Sequence, residues 1–267
     1  MIQITRLFVL MCLLGVASNG WSGDWPMWRY GAGRGGVSPD ALPENMSLRW
    51  TRSLVPQSPA WPPTQMKLQF DLVPEPVVLG NRIFVPSNTI DALVAYDTAT
   101  GREAWRFYTD GPVRFAPVAH AGKVYVASDD GFLYALEAQT GELVWKFRGG
   151  PANRPILGNR RLISSWPLRG GPVLHEGRLH VTASIWPFMG IFIHAIDPAT
   201  GEVIWTNSGD GTNYIVHPHG APSFGTVVPQ GHLAAVGDAL VVPGGRSMPA
   251  VYETVTGKLR HFKYDKK

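Results

Sequence analysis

From about residue 72 to residue 262 the chain is a series of short runs in which apolar and polar positions alternate. Lys123-Val124-Tyr125-Val126-Ala127 alternates as a strand with one face turned to a core. It follows the Ala121-Gly122 turn and leads through Asp129-Asp130-Gly131 to a third strand, Phe132-Leu133-Tyr134-Ala135-Leu136. The turns Gly80-Asn81, Glu176-Gly177 and Gly237-Asp238 occupy the place of Ala121-Gly122 in three other runs. All are suited to tight hairpins. The pattern predicts units of four antiparallel strands, with each third strand ending in Asp or Glu.

These units are copies of one another. The segments at 96–105, 136–145, 196–205 and 252–261 each carry an acid, then Thr-Gly three residues later, then a fourth strand. In the first three, Trp105, Trp145 and Trp205 stand four residues after the glycine; the fourth has His261. Leu143, Trp145 and Phe147 share one face of their strand, so the Trp is expected to cover a neighbouring sheet. Asp97, Glu137, Asp197 and Glu253 recur in every copy and read as turn-stabilising acids. The turns are unevenly spaced, and the surplus residues fall at 149–170 and 207–229. In a repeat array such surplus maps to loops, the expected place for function.

Ahead of the repeats, residues 21–70 are rich in Trp and Pro and irregular, with one short strand expected at 48–51. Their aromatic residues are expected to cap a core edge. Residues 1–20 read as a secretory signal: Arg6 closes a short basic region, 7–17 is apolar, and small residues follow. The sole cysteine, Cys12, lies in that leader, so the mature chain is expected to have neither disulfide nor membrane segment. Export implies a periplasmic or extracellular site. The 30 Gly, 23 Pro and 10 Trp, with only 16% charged residues, favour an all-β chain. The net charge of +4 comes without a dense basic run, which argues against nucleic acid as a partner.

The Asp/Glu-x-x-Thr-Gly-x-x-x-Trp pattern resembles the PQQ-like β-propeller repeat of quinoprotein alcohol dehydrogenases and of BamB-type outer-membrane assembly proteins. The resemblance covers 72–262, and Trp25-Pro26-Met27-Trp28-Arg29 looks like the lead-in of secreted relatives. It implies an all-β propeller of four-stranded blades over 71–267. Four copies fall short of the seven or eight blades usual in such relatives, so an incomplete ring is expected. Its remainder would then lie elsewhere, either in a longer protein or in a partner. Function is fixed less tightly by the repeat. A non-catalytic binding or scaffold module is the first expectation, and a quinone-dependent oxidoreductase, or a fragment of one, is the alternative. That alternative implies pyrroloquinoline quinone with Ca²⁺ and a pair of adjacent cysteines, which the mature sequence lacks.

The residues themselves indicate no catalytic constellation and no cofactor. Asp129 and Asp130 fit a hairpin turn. His217-Pro218-His219 is the most metal-like local cluster, but no third ligand stands nearby in sequence. Aligning the copies on their second strands places Arg114 and Arg169 at equivalent positions, just ahead of the first strands of adjacent blades. The same place holds Val73 and Gln230 in the first and fourth copies. First strands line a propeller's channel, so this pair, with Arg154, Arg160 and Arg161 nearby, marks one channel mouth as a candidate anion-binding site.

Overall fold

A computed structural model describes residues 23–66, 69–158, 160–209, 212–216, 220–244 and 247–262. The leader and the His217–His219 cluster lie outside the described residues, so the metal-like pair has no structural account.

The repeats fold into four antiparallel sheets set as the blades of an open propeller. The first blade comprises Val77–Leu79, Arg82–Ser87, Ala92–Asp97 and Glu103–Tyr108. The second comprises Val118–His120, Lys123–Ala127, Phe132–Glu137 and Leu143–Arg148. The third is built from Gly170–His175, Arg178–Ala183, Phe192–Ile196 and Val203–Ser208, with Gly231–His232 added in parallel beside its first strand. Ala234–Val236, Ala239–Gly244, Ser247–Glu253 and Leu259–His261 form the fourth. First strands of successive blades lie side by side around the channel. The surplus residues form two hairpins, Pro155–Gly158 with Arg161–Ser164 and Thr212–Val216 with Pro222–Thr226.

Local chemistry accounts for the Thr-Gly turns. Gly101, Gly141, Gly201 and Gly257 all adopt positive φ, which glycine tolerates without a Cβ clash. The acid at each turn's start does the rest: Asp97 Oδ1 accepts hydrogen bonds from the amides of Ala99 (3.1 Å) and Thr100 (2.9 Å). Asp197 Oδ1 does the same for Ala199 and Thr200.

Glycine is also required there by what lies above it. A methyl group on Gly141 would sit 2.6 Å from the Trp105 indole, and one on Gly201 2.7 Å from Trp145. Trp205 covers Gly257 in the same way. Each indole Nε1 then donates to the carbonyl after the turn acid: Trp105 to Ala138, Trp145 to Pro198, Trp205 to Thr254. The repeated Trp is thus a latch from one blade to the Thr-Gly turn of the next. Large apolar side chains fill the spaces between blades, in two principal clusters.

The lead-in is irregular, and 48–51 forms no strand, because among the described residues no strand lies alongside to pair with it. Instead Trp50 covers Gly101, 2.6 Å from a methyl group placed there, and donates to the Thr98 carbonyl. Further upstream the chain is sewn to all four blades. Trp25 pairs with Val78, and the Pro26 and Ala32 carbonyls accept from the amides of Ala119 and Ala235. Arg34 donates to the carbonyls of Leu233 (2.7 Å), Trp28 (3.0 Å) and Pro172 (2.9 Å). These aromatic residues do more than cap an edge: the segment is a hub across the first strands.

Candidate functional site at the channel mouth

The arginine pair sits where the chain enters the second and third blades, and both side chains turn onto one carboxylate. Arg114 Nε donates to Asp129 Oδ2 at 2.6 Å. Arg169 donates through Nε to Oδ1 (3.0 Å) and through Nη2 to Oδ2 (2.9 Å). Asp129 is the first residue of the turn between the second and third strands of the second blade, and its own amide is held by the Pro112 carbonyl. Arg114 Nη1 reaches a second carboxylate, Asp71, from the lead-in. All four side chains are at most 3% exposed.

Two positive and two negative groups therefore cancel within a buried cluster. Burial alone would raise the Asp129 carboxyl, but the two guanidiniums beside it win and hold it below the usual carboxylate range. Arg114 is likewise pulled two ways, burial lowering it and the two carboxylates raising it, with the upward direction prevailing. One donor is left over. Arg169 Nη1 is buried without a protein partner.

The cluster is roofed. Asp71 accepts from the Ala60 amide and from Asn88 Nδ2, and Asn88 Oδ1 accepts from the Ser58 amide. This holds the 58–61 stretch over the arginines, with the Trp61 ring 5.9 Å from the Arg169 guanidinium. On the other side the first inserted hairpin closes in: the Ser164 amide donates to the Asp129 carbonyl, and Arg161 pairs with Asp91 of the first blade. Asp130 takes a separate role. It accepts from Tyr134 Oη (2.6 Å) and from the amides of Asp110 and Phe132, and burial pushes its carboxyl up despite those bonds.

Beside the cluster lies a constellation that the repeats do not announce. His232 stacks on Trp28 at 4.1 Å, meets the edge of Phe115 at 5.1 Å, and places Nε2 3.0 Å from the Glu75 carboxylate. Burial lowers its pKa even against that carboxylate. Glu75 and His232 stand in non-repeated connecting stretches, so sequence periodicity carries no signal for them.

The comparisons with known proteins agree with this architecture. Residues 43–184 match the family described as outer membrane protein assembly factor BamB. The chain belongs to this family. A quinone alcohol dehydrogenase subunit of Gluconacetobacter polyoxogenes is 31% identical over 143 residues, 49% of this chain and 19% of that protein. The serine/threonine-protein kinase AfsK of Streptomyces coelicolor is 32% identical over 177 residues, 56% of this chain and 21% of that protein. The chain thus spans about a fifth of these curated relatives.

Among solved structures, BamB from Moraxella catarrhalis superposes with a TM-score of 0.51 at 18% identity, covering 79% of this chain and 50% of that one. Quinohemoprotein alcohol dehydrogenase from Comamonas testosteroni gives 0.57 at 18%, covering 89% and 40%. At such identities the likeness is one of fold.

The dehydrogenase branch implies a quinone and Ca²⁺, and the charged side chains at this mouth are for the most part committed to one another. The donors of Arg114 and Arg169 are directed at Asp129 and Asp71, apart from Arg169 Nη1. Among the described residues no group of three or more His, Cys, Asp or Glu converges to hold a metal ion.

Proposed function

We propose that this family member is a non-catalytic binding module, in which the channel mouth braces the blades and the inserted hairpins make contact with a protein partner. The observation that carries the reading is the neutralised, roofed cluster of Asp71, Arg114, Asp129 and Arg169. It converts the one conspicuous pair of cations into inter-blade bracing. Outward from it the hairpins expose apolar side chains: Leu157 and Leu162 on the first, Tyr214, Val216 and Phe224 on the second. Exposed apolar residues grouped on protruding loops suit protein contact. The leader at 1–20 supports export, and the family's description, an outer membrane assembly factor, is in keeping with a periplasmic setting. Among the described residues no helix is long and apolar enough to cross a membrane.

Two experiments test this. The mature chain, incubated with pyrroloquinoline quinone and Ca²⁺ and then gel-filtered, is expected to retain no quinone absorbance and to give no dye-linked alcohol oxidation. Retention with turnover would replace this reading by the oxidoreductase one. A photo-crosslinking residue at Leu157 or Tyr214 is expected to trap a discrete protein adduct in cells. Uniform absence of adducts at both positions would count against a binding role.

A further inference from the structure

The turn before the third strand of the second blade carries two neighbouring carboxylates with different fates. Asp129 is paired by the chain itself, with Arg114 and Arg169. Asp130 instead lines a cavity of about 290 Å³ between the second blade and the first inserted hairpin. Two glycines let the walls of this cavity approach. A methyl group on Gly111 would lie 2.7 Å from the Asp130 amide nitrogen, so the loop between the first two blades presses on the turn and brings Asp110 beside Asp130. One on Gly131 would lie 2.6 Å from Ser164 Oγ, so the end of the hairpin closes on the same turn.

The lining is of two kinds: Asp110, Asp130 and Asn153 are polar, whereas Phe132, Pro155 and Leu162 are apolar. Asp130 is only 7% exposed, and its carboxylate accepts from Tyr134 Oη and from the amides of Asp110 (3.0 Å) and Phe132 (2.9 Å). Three donors suit an ionised carboxylate, and they leave acceptor capacity over on a group with about four lone-pair sites. What is missing is a countercharge. Among the described residues neither Asp130 nor the exposed Asp110 makes an ion pair. The chain's own nearby cations are engaged elsewhere. Arg148, opposite Phe132 in register, donates to the carbonyls of Gly150 (3.1 Å) and Pro151 (3.2 Å). Lys146 holds Nζ 5.1 Å from the centre of the Phe132 ring, and Arg161 pairs with Asp91. Arg154 stands between Asn153 and Pro155 but does not line the cavity. A buried carboxylate that keeps its charge without a cation is costly, and a cation arriving from outside removes that cost.

We infer that this cavity takes a basic side chain, lysine or arginine, from the protein partner. Its apolar walls suit a methylene stem and its carboxylates suit the charged head. They leave few oxygens for a metal such as Ca²⁺, which takes about six to eight. Leu162 also pairs across the hairpin with Leu157, and both are exposed. A partner segment with an apolar residue beside its basic one would cover this pair as well as the cavity, whereas a free amine would engage the cavity alone. The inference rests on the first hairpin being a contact surface, as proposed above.

The test is to titrate the ¹⁵N-labelled mature chain with acetyl-Leu-Lys-Leu-amide, with its norleucine analogue, with pentylamine and with CaCl₂, following amide shifts. The lysine peptide is expected to give saturable shifts at Asp110, Phe132 and Leu162. Replacing its lysine by norleucine, or Asp110→Asn in the protein, should weaken binding at least about tenfold. Asp110 is exposed and its side chain braces nothing, so this variant should keep its fold. Absence of saturable shifts overturns the inference, as does binding that ignores either replacement. Shifts with CaCl₂ at these amides would make the cavity a metal site, and pentylamine binding as tightly as the peptide would assign it to a small amine; either result overturns the partner assignment. Photo-crosslinking from Leu157 separates this inference from the binding role beneath it. The adduct is expected to be lost in the double variant Asp110→Asn, Asp130→Asn; an adduct that persists there keeps the binding role and overturns the basic anchor.

Discussion

The second and fourth blades are built from the same repeat and differ in what lies on their two sides. In the second blade the central strands Lys123–Ala127 and Phe132–Glu137 are buried on both faces, with Phe84 and Trp105 on one side and Trp145 over the turn of the third blade on the other. In the fourth, Ala239–Gly244 alternates between buried and half-buried, because only Leu240, Val242 and Gly244 face a neighbour. A blade is therefore not a self-sufficient unit. Its alternating pattern buries one face, and the second face is buried only when another blade, or a substitute such as Trp50, is present. Side chains follow this. Interior junctions carry a ring and a Trp, and the one between the second and third blades also a shared carboxylate, whereas the fourth blade carries Val241 and His261 at these places.

The largest expected effect comes from the carboxylate that ties the second blade to the third. Asp129→Ala leaves Arg114 and Arg169 buried, Arg169 without its only ionic partner, and should cost about 3–5 kcal/mol. Denaturant unfolding of the variant should shift its midpoint accordingly, and an unchanged midpoint would show that the cluster is not bracing the junction. Acid should mimic part of the loss. The Asp129 carboxyl is held below its unfolded value, so its contribution is present above about pH 4 and is lost as pH falls through the lower folded value.

The same contrast explains what sequence reveals and what it conceals. The Thr-Gly turns are legible because positive φ at Gly101, Gly141, Gly201 and Gly257, and the capping acid, are requirements local to a few residues. The pairing of Arg114 with Arg169 is legible too, since blades in register bring equivalent positions together. Their partners are less so. Asp129 looks like a turn residue and is one, but its carboxylate also faces a second blade, and Asp71 comes from a stretch with no period. Trp50 illustrates the limit most clearly. Its neighbours in sequence suggest a short strand, whereas its role is set by Gly101, 51 positions away in the chain, which needs a cover. Glu75 and His232 meet only because the entry to the first blade and the added strand converge beside the hub residue Trp28.

Paired truncations of the latches sharpen the comparison between an interior junction and an end. Trp145→Ala opens a cavity over Gly201 between two packed blades, and should cost about 3–5 kcal/mol. Trp50→Ala removes the same contact over Gly101 where only one blade lies beneath it. The expected cost there is smaller, about 1–2 kcal/mol. Equal losses, measured by chemical unfolding, would mean that the contact over Gly101 is as tightly packed as the one over Gly201.

The smallest effect has the opposite sign. His180 occupies the ring position of the third blade, where the first has Phe84 and the second Tyr125, and it is fully buried with neither ring nitrogen hydrogen-bonded. Tyr125 solves the same problem by donating to the Pro198 carbonyl at 2.9 Å; the imidazole finds no such partner. Burial, with His175 and Arg178 adding to it, lowers the His180 pKa to about 4. Between about pH 6.5 and 4 the unfolded chain takes up a proton at this residue that the folded chain refuses, so stability falls as pH falls through that window. His194 is also lowered to about 4 by burial, although it is better partnered, with Nε2 donating to the Gly149 carbonyl and Nδ1 accepting from Thr206. His180→Phe should therefore stabilise the protein by about 1–2 kcal/mol at pH 7, by removing unsatisfied polar atoms. It should also flatten part of the decline in melting temperature between pH 6.5 and pH 4, leaving the share due to His194. A variant less stable than the parent at pH 7 would mean that the imidazole nitrogens have found partners, with the buried Thr254 hydroxyl at the same junction the first place to look.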